Sequence, residues 1–261
     1  MPQRFFLTVM ILLAFASQPS TASAERVLVF GGTGMIGYEI VKALKAQGSD
    51  VTVLVRPTSK VEDLDKIGVP YVVGDVLEPD TLHTVFKENS YDTVISSIAR
   101  SASFGSAQTG VTIHKTGNNN ITAAALLGGA SHVILMGTVG AGDSSATLGD
   151  RQRTSFKQIY DDKTAAEDFL RASGLTYTIV RTGIILTDTQ TGTVEFTEDR
   201  GVRHGANIFD IATLTAGCVG NADCVDKTFH THDPALPPMS TEDMMKAFEG
   251  LQAFENLRRP K

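Results

Sequence analysis

The 261-residue sequence predicts an α/β fold, a doubly wound parallel sheet with helices on both faces. Three observations carry that expectation. Short apolar runs alternate with amphipathic stretches along the chain, and strands buried on both faces read as continuous Val, Ile and Leu. The first run, residues 27–30, passes straight into Gly31-x-x-Gly34-x-x-Gly37 and then an amphipathic stretch. The composition, 42% hydrophobic and 20% charged, supplies enough apolar surface for a core and excludes a disordered or collagen-like chain.

The elements follow in order. β1 is residues 27–30, and residues 35–47 form a helix closed by Gly48. β2 spans 51–55, a short helix 61–67 and β3 71–73. Residues 79–87 are helical, with Pro79 near the start, where its missing N–H costs nothing. β4 is 93–96, and a long helix over 111–127 ends at Gly128-Gly129. β5 is 133–136, a helix over 161–172 stops at Gly174, and β6 is 177–180. The pattern then loosens. Residues 187–207 are polar, followed by a helix over 208–216, a late strand over 227–231 and a terminal helix over 241–254. With no internal repeat or Pro/Gly/Ser-rich linker, residues 25–261 are expected to form one Rossmann-type domain with a small irregular C-terminal cap.

The N-terminus reads separately. Arg4 precedes an apolar stretch over 5–16 and a polar region ending Ala22-Ser23-Ala24. A basic start, a short apolar core and a small-x-small exit predict a secretory signal over 1–24, cleaved after Ala24. The chain is then exported to a periplasm, the outside or an organelle lumen, with no stable membrane span after cleavage; an uncleaved anchor is the alternative. Loss of Arg4 takes the net charge from −6 to −7. In an exported chain Cys218 and Cys224 are expected to form a local disulfide, with two buried thiols as the alternative. No metal site is expected. His230 and His232 are the nearby ligand candidates, and alternate strand residues ordinarily just share a face. The acidic balance, with no Lys/Arg cluster beyond Arg258-Arg259-Pro260-Lys261, argues against a nucleic-acid partner.

The glycine turn has a chemical reading. Gly31 takes backbone angles that a Cβ forbids. Gly34 lets a diphosphate approach the backbone at a helix N-terminus, and Gly37 lets the helix pack closely on the sheet. Thr33, Met35 and Ile36 complete this expected cofactor loop. At the end of β2, where an acidic residue would accept from the ribose hydroxyls of NAD, stands Arg56. Its guanidinium suits a 2′-phosphate; the other reading is a solvated surface arginine.

Gly-Gly-Thr-Gly-Met-Ile-Gly, Leu-Val-Arg after β2, Gly-Asp-Val after β3, and Lys-x-x-x-Glu ahead of Ser-Gly-Leu-x-Tyr-Thr-Ile-Val-Arg resemble the atypical short-chain dehydrogenase/reductases, in their NmrA-like, NAD(P)H-binding branch. The resemblance covers residues 26–186 and continues weakly to 232. It implies NADP(H) in preference to NAD(H), with Arg56 on the 2′-phosphate, and an oxidoreductase acting on a small carbonyl or conjugated acceptor. Asp75 and Val76 would lie by the adenine, although Asp75 could equally cap the turn before Pro79. Ser96 and Ser97 would stand beside the nicotinamide ribose, which Lys163 would hold.

Catalysis departs from the family pattern. Typical members of the superfamily carry Tyr and Lys four apart on one helix, with a Ser or Thr at the end of β5. Here Ile159 stands four residues before Lys163, and Tyr160 is three before it, about 100° round the helix from the expected direction. Tyr160 reaches the site if the helix begins irregularly. Thr138 is the hydroxyl in the serine position, so Lys163, Thr138 and Tyr160 are the candidate catalytic residues. One of Asn118, Asn119 and Asn120 is expected to hold a water near the lysine, and the loops 101–112 and 200–204 are candidates to face a small-molecule substrate. Asn120-Ile121-Thr122 is a glycosylation triplet inside an expected helix, which disfavours a glycan. The alternative function is a catalytically weak NAD(P)H-binding sensor or assembly protein; Ile159, and export to a compartment poor in NADPH, favour it. The oligomeric state is not assigned.

Overall fold

The computed structural model describes residues 24–99, 112–188, 190–202 and 204–238, with Lys246, Gly250, Ala253 and Phe254. The strands are β1 (Arg26–Phe30), β2 (Asp50–Val55), β3 (Tyr71–Val73), β4 (Thr93–Ser96), β5 (His132–Thr138), β6 (Thr176–Thr182), β7 (Ile184–Leu186), β8 (Glu195–Thr197), β9 (Gly205–Asn207) and β10 (Lys227–His232). The helices are α1 (Met35–Ala46), α2 (Glu62–Lys66), α3 (Pro79–Glu88), α4 (Asn118–Leu127), α5 (Asp150–Ser155), α6 (Lys157–Ala172) and α7 (Ile208–Ala216). Eight strands form one sheet in the order β3-β2-β1-β4-β5-β6-β10-β8, while β7 and β9 pair separately. Every pairing in the large sheet is parallel except β10 with β8.

Strand alternation divides the core in two. Val27 and Val29 of β1 face one side, where Ile40 and Leu44 of α1, Leu64 of α2 and Ile211 of α7 cover them. Leu28 and Phe30 face the other, beneath Leu82 of α3, Ile121 of α4 and Leu170 of α6. Burial of each such side chain stabilises the fold by roughly 1.5–3 kcal/mol. Because both faces are covered, β1 has no polar position after Arg26, which is why residues 27–30 read as uninterrupted apolar sequence.

Two expected helices differ from those observed. The helix expected over 111–127 opens with a π-turn, Ile113–Gly117, before α4 begins. The Thr112 hydroxyl accepts from the Lys115 N–H at its start. Gly117 then fits where a Cβ would lie 3.0 Å from Val76 and 3.1 Å from Ile98. The helix expected from residue 161 begins at Lys157, with α5 before it. An ion pair between Lys157 and Asp161, four residues apart, supports that extra turn. The polar sequence of 150–158 has no apolar period to announce it. The expected terminal helix over 241–254 lies outside the described residues except Lys246, Gly250, Ala253 and Phe254, each helical. The expected signal lies outside them in residues 1–23.

Cys218 and Cys224 are disulfide-bonded, with Cα atoms 5.4 Å apart. The bridge joins the end of α7 to the approach to β10, and both residues are buried. No helix among the described residues is long and apolar enough to cross a membrane. Replacing both cysteines by alanine is expected to lower unfolding stability by about 2 kcal/mol, the chain-entropy value for so short a loop. Denaturant titration of the oxidised chain and the double variant checks it.

Candidate functional site

Strand order reverses between β1 and β4, and the glycine turn occupies that crevice. Gly31 has φ +78°, and a Cβ there would stand 2.5 Å from the Ser97 carbonyl oxygen. The end of β4 therefore touches the turn directly. The Gly34 N–H donates to the Gly31 carbonyl at 2.8 Å. A Cβ on Gly37 would press into that same carbonyl. Gly34 caps α1 with no side-chain oxygen, and the first turn of the helix carries no acid of its own. Thr33, Met35 and Ile36 line the turn half-buried. Space that a Cβ would fill, at the positive end of a helix dipole, fits a pyrophosphate.

The neighbouring strand ends surround this cradle. Phe30 pairs with Leu54, which brings Arg56 beside the turn. Arg56 is exposed, and its backbone forms a tight turn with Ser59. Asp75, after β3, caps its own turn: one carboxylate oxygen accepts from the Leu77 N–H at 2.9 Å. Val76 is buried, and its carbonyl accepts from the Asn120 side chain at 2.8 Å. Ser96 donates to Asn118 Oδ1 at 2.6 Å, and Asn118 Nδ2 donates to the His114 carbonyl at 2.7 Å. Two of the three asparagine side chains thus tie α4 to the strand ends, and the Asn120 amide is committed within the fold.

Lys163 reaches across β5, donating from Nζ to the Met136 carbonyl at 3.1 Å. Burial pulls its ammonium down to about 8, against the opposing attraction of Glu167. Thr138 ends β5, its hydroxyl 3.3 Å from the carbonyls of Val139 and Thr182. Tyr160 lies in α6. Its ring packs where a Cβ on Gly140 would be 2.7 Å away, and meets Phe156 edge-on at 6.2 Å. Burial holds its phenol above the usual range, opposed by a hydrogen bond with Gln152. The chain breaks at Phe156 between α5 and α6, Tyr160 follows in the first turn of α6, and its ring packs on the loop after β5.

His114 was not singled out from the sequence. It is 4% exposed on the π-turn, with Nδ1 lacking a hydrogen-bond partner. Burial, followed by the charge of Lys163, drives its imidazole down to about 4, while Asp162 pulls the other way. Asp162 is itself held by Thr112 at 2.6 Å and Gln158 at 2.9 Å. No spacing rule marks a lone histidine ahead of a π-turn. Of the proposed substrate-facing loops, residues 101–111 lie outside the described residues. In the other, Arg200 pairs with Asp143 at 3.0 Å and His204 Nδ1 lies 3.0 Å from the Asp233 carbonyl oxygen. No group of three or more His, Cys, Asp or Glu among the described residues is placed to hold a metal ion.

Beneath the loop after β5, Arg181 and Glu167 form a buried bidentate pair, 1% and 0% exposed. Arg181 Nε meets Glu167 Oε1 at 3.1 Å, and Nη2 meets Oε2 at 2.6 Å. A third nitrogen binds Asp143 at 2.5 Å. The pair links α6, the helix of Lys163, to β6, and Asp143 extends the link to the loop that follows Thr138.

A model of a family described as NAD(P)H-binding matches residues 31–221. The chain belongs to that family. It is an NmrA-like, atypical short-chain dehydrogenase/reductase, and the family is one of NAD(P)H-binding oxidoreductases. Photosystem II assembly factor Ycf39 of Synechocystis is 30% identical over 159 residues, 60% of this chain and 44% of that one. An NAD(P)H azoreductase of Xenophilus azovorans is 43% identical over 56 residues, 22% of this chain and 20% of that one. The chain thus spans less than half the length of these relatives. Among solved structures, ChuY, an anaerobilin reductase from Escherichia coli O157:H7, superposes with TM-score 0.69 at 24% identity, covering 82% of this chain and 99% of that one. A short-chain dehydrogenase/reductase from Veillonella parvula in complex with NADP gives TM-score 0.64 at 15% identity, covering 82% and 96%. At these identities the structural likeness establishes the fold.

Three outcomes follow for the NAD(P)H-binding chain. Glu167→Gln leaves Arg181 buried without its bidentate partner and should cost about 3 kcal/mol in denaturant unfolding. The ligand-free Lys163 amine should titrate near pH 8 by NMR of 13C-methylated lysines, whereas exposed lysines titrate near ~10.4. Because the unfolded chain keeps that proton to higher pH, this residue's contribution to stability rises between those two values. Lys163→Met removes that rise.

Proposed function

We propose that this chain is an NADPH-dependent reductase of a small carbonyl or conjugated acceptor, exported by its N-terminal segment. The observation that carries the reading is the intact glycine cradle at the β1/β4 crevice, with Arg56 beside it. When bound there, NADPH supplies the hydride. The glycine turn seats the pyrophosphate. Arg56 offers a planar fork for the 2′-phosphate, and Ser96, Ser97 and Asp75 border the cofactor. Lys163, anchored on the Met136 carbonyl, orients the nicotinamide ribose and holds a proton at Nζ. An amine near 8 is mostly charged at neutral pH yet yields its proton far more readily than an exposed lysine. Thr138 stands at the same strand end to orient the acceptor oxygen. Tyr160, packed on the loop, contributes less. Hydride delivery depends chiefly on positioning, which these residues supply.

The reductase names carried by ChuY and the azoreductase support this reading. A second reading, a cofactor-binding assembly or sensor protein, is favoured by Ile159 in the tyrosine position and by the likeness to Ycf39.

Titration of residues 25–261 with both nucleotides, followed by nicotinamide fluorescence, separates these readings. NADPH should bind at least about tenfold more tightly than NADH, a preference lost in Arg56→Ala. In an acceptor screen Lys163→Met should lower kcat by more than it weakens NADPH binding, and wild-type kcat should fall as pH rises through about 8. Tight NADPH binding with no turnover of any acceptor would favour the assembly reading; binding of neither nucleotide would sink both. N-terminal sequencing of protein recovered from the exporting cell should begin at Glu25.

A further inference from the structure

α6 presents a second flank. Thr164, Asp168 and Arg171 form a stripe roughly a quarter turn or more round the helix from Lys163, and they face a groove of about 590 Å³ over β6 and β10. That volume lies within the usual range for small-molecule pockets, about 300–1,000 Å³. None of the residues assigned to the dinucleotide lines it.

Its floor is a row across the sheet. Arg181 of β6 is paired in register with His230 of β10, and His230 with Thr197 of β8. Arg181 and His230 are each 1% exposed. The charged groups around them are matched: Arg181 with Glu167 and Asp143, Arg200 with Asp143, Arg171 with Asp168, and Lys227 with Glu198. Thr164 donates to the Tyr160 carbonyl, and Thr228 accepts from Arg171. His230 differs. It lines the groove, and neither of its ring nitrogens has a hydrogen-bond partner. Burial and the nearby Arg181 and Arg200 charges, outweighing Asp143 and Asp199, bring its ring down to about 4. The neutral ring offers one donor and one acceptor, and a buried polar group left unpaired forfeits its hydration with no return.

Four cations and four carboxylates line the groove, and Glu167 lies behind it. An anion meets the carboxylates and a cation meets the guanidinium groups. A neutral hydroxyl both donates and accepts, so it can answer either member of a rim pair and, once a rim pair parts to uncover them, the buried ring nitrogens of His230. The rim pairs are partly exposed and weak enough to be exchanged for such contacts.

We infer that this groove is a second ligand site, separate from the dinucleotide cradle, which takes a small neutral polyhydroxylated molecule on His230. The site stands independently of the reductase reading.

The test uses the full-length chain labelled with 15N-histidine, with glucose and sorbitol as neutral probes, citrate as the anion and putrescine as the cation. The expected result is a saturable shift of the His230 ring nitrogens with glucose or sorbitol, half-complete at about 1 mM or below, the strength a few hydrogen bonds supply. Saturation-transfer signals from glucose should fall at least tenfold in His230→Phe and stay unchanged in Arg56→Ala. Thr228→Val, a rim change that leaves the floor in place, should weaken glucose several-fold and covers a His230→Phe chain that does not fold. Ring nitrogens unmoved by either polyol would overturn the inference and leave water as the occupant. Movement with citrate or putrescine alone would overturn it in favour of a charged ligand.

Discussion

The contact between Gly31 and the Ser97 carbonyl oxygen governs how the site is assembled. It joins the end of β1 to the end of β4 at the place where strand order reverses. A Cβ at Gly31 would stand 2.5 Å from that oxygen, so the crevice closes only around glycine. Gly37 repeats the constraint one helical turn later, bringing α1 down onto the same backbone. The position of the helix N-terminus, and with it the attraction for a pyrophosphate, follows from these two absent side chains. Arg56, Asp75 and Ser96 then need only be the residues that happen to end the adjacent parallel strands.

A second constraint is electrostatic. Arg181 and Glu167 are removed from water together, and burial of either alone would be strongly unfavourable. Their pairing fixes α6 against β6 and, through Asp143, against the loop after β5. Lys163 and Thr164 are adjacent in sequence, yet Lys163 reaches the Met136 carbonyl while Thr164 lines the groove, because successive helical residues are turned about 100° apart. One helix therefore separates the strand end that holds Lys163 from the polar groove on its flank. The depressed ammonium of Lys163 and the neutral rings of His114 and His230 share a cause, since each is buried where a positive charge loses its water.

Much of this was legible in the sequence. β3, β4 and α7 begin and end where their apolar pattern does, and the parallel order follows from runs with no polar face. The disulfide was readable from two cysteines six residues apart, on the expectation that the chain is exported. The start of α6 was not, because residues 150–158 are polar and are held by tertiary contacts and an ion pair rather than by an apolar stripe. The π-turn before α4 was also hidden, since it arises from Gly117 fitting against Val76 and Ile98, residues distant in sequence. His114 lies on that turn and was missed with it.

The sequence by itself determined the fold class and the strand–glycine turn–helix unit that opens it, because each is encoded locally: a strand period and glycines at set spacing. Tertiary structure alone decided where Tyr160 points, which asparagines are spent on structure, that His114 lies beside Lys163, and that Arg181 and His230 share one floor. Those outcomes depend on register between strands and on which groups lose their water together. Neither is a property of any one segment of the chain.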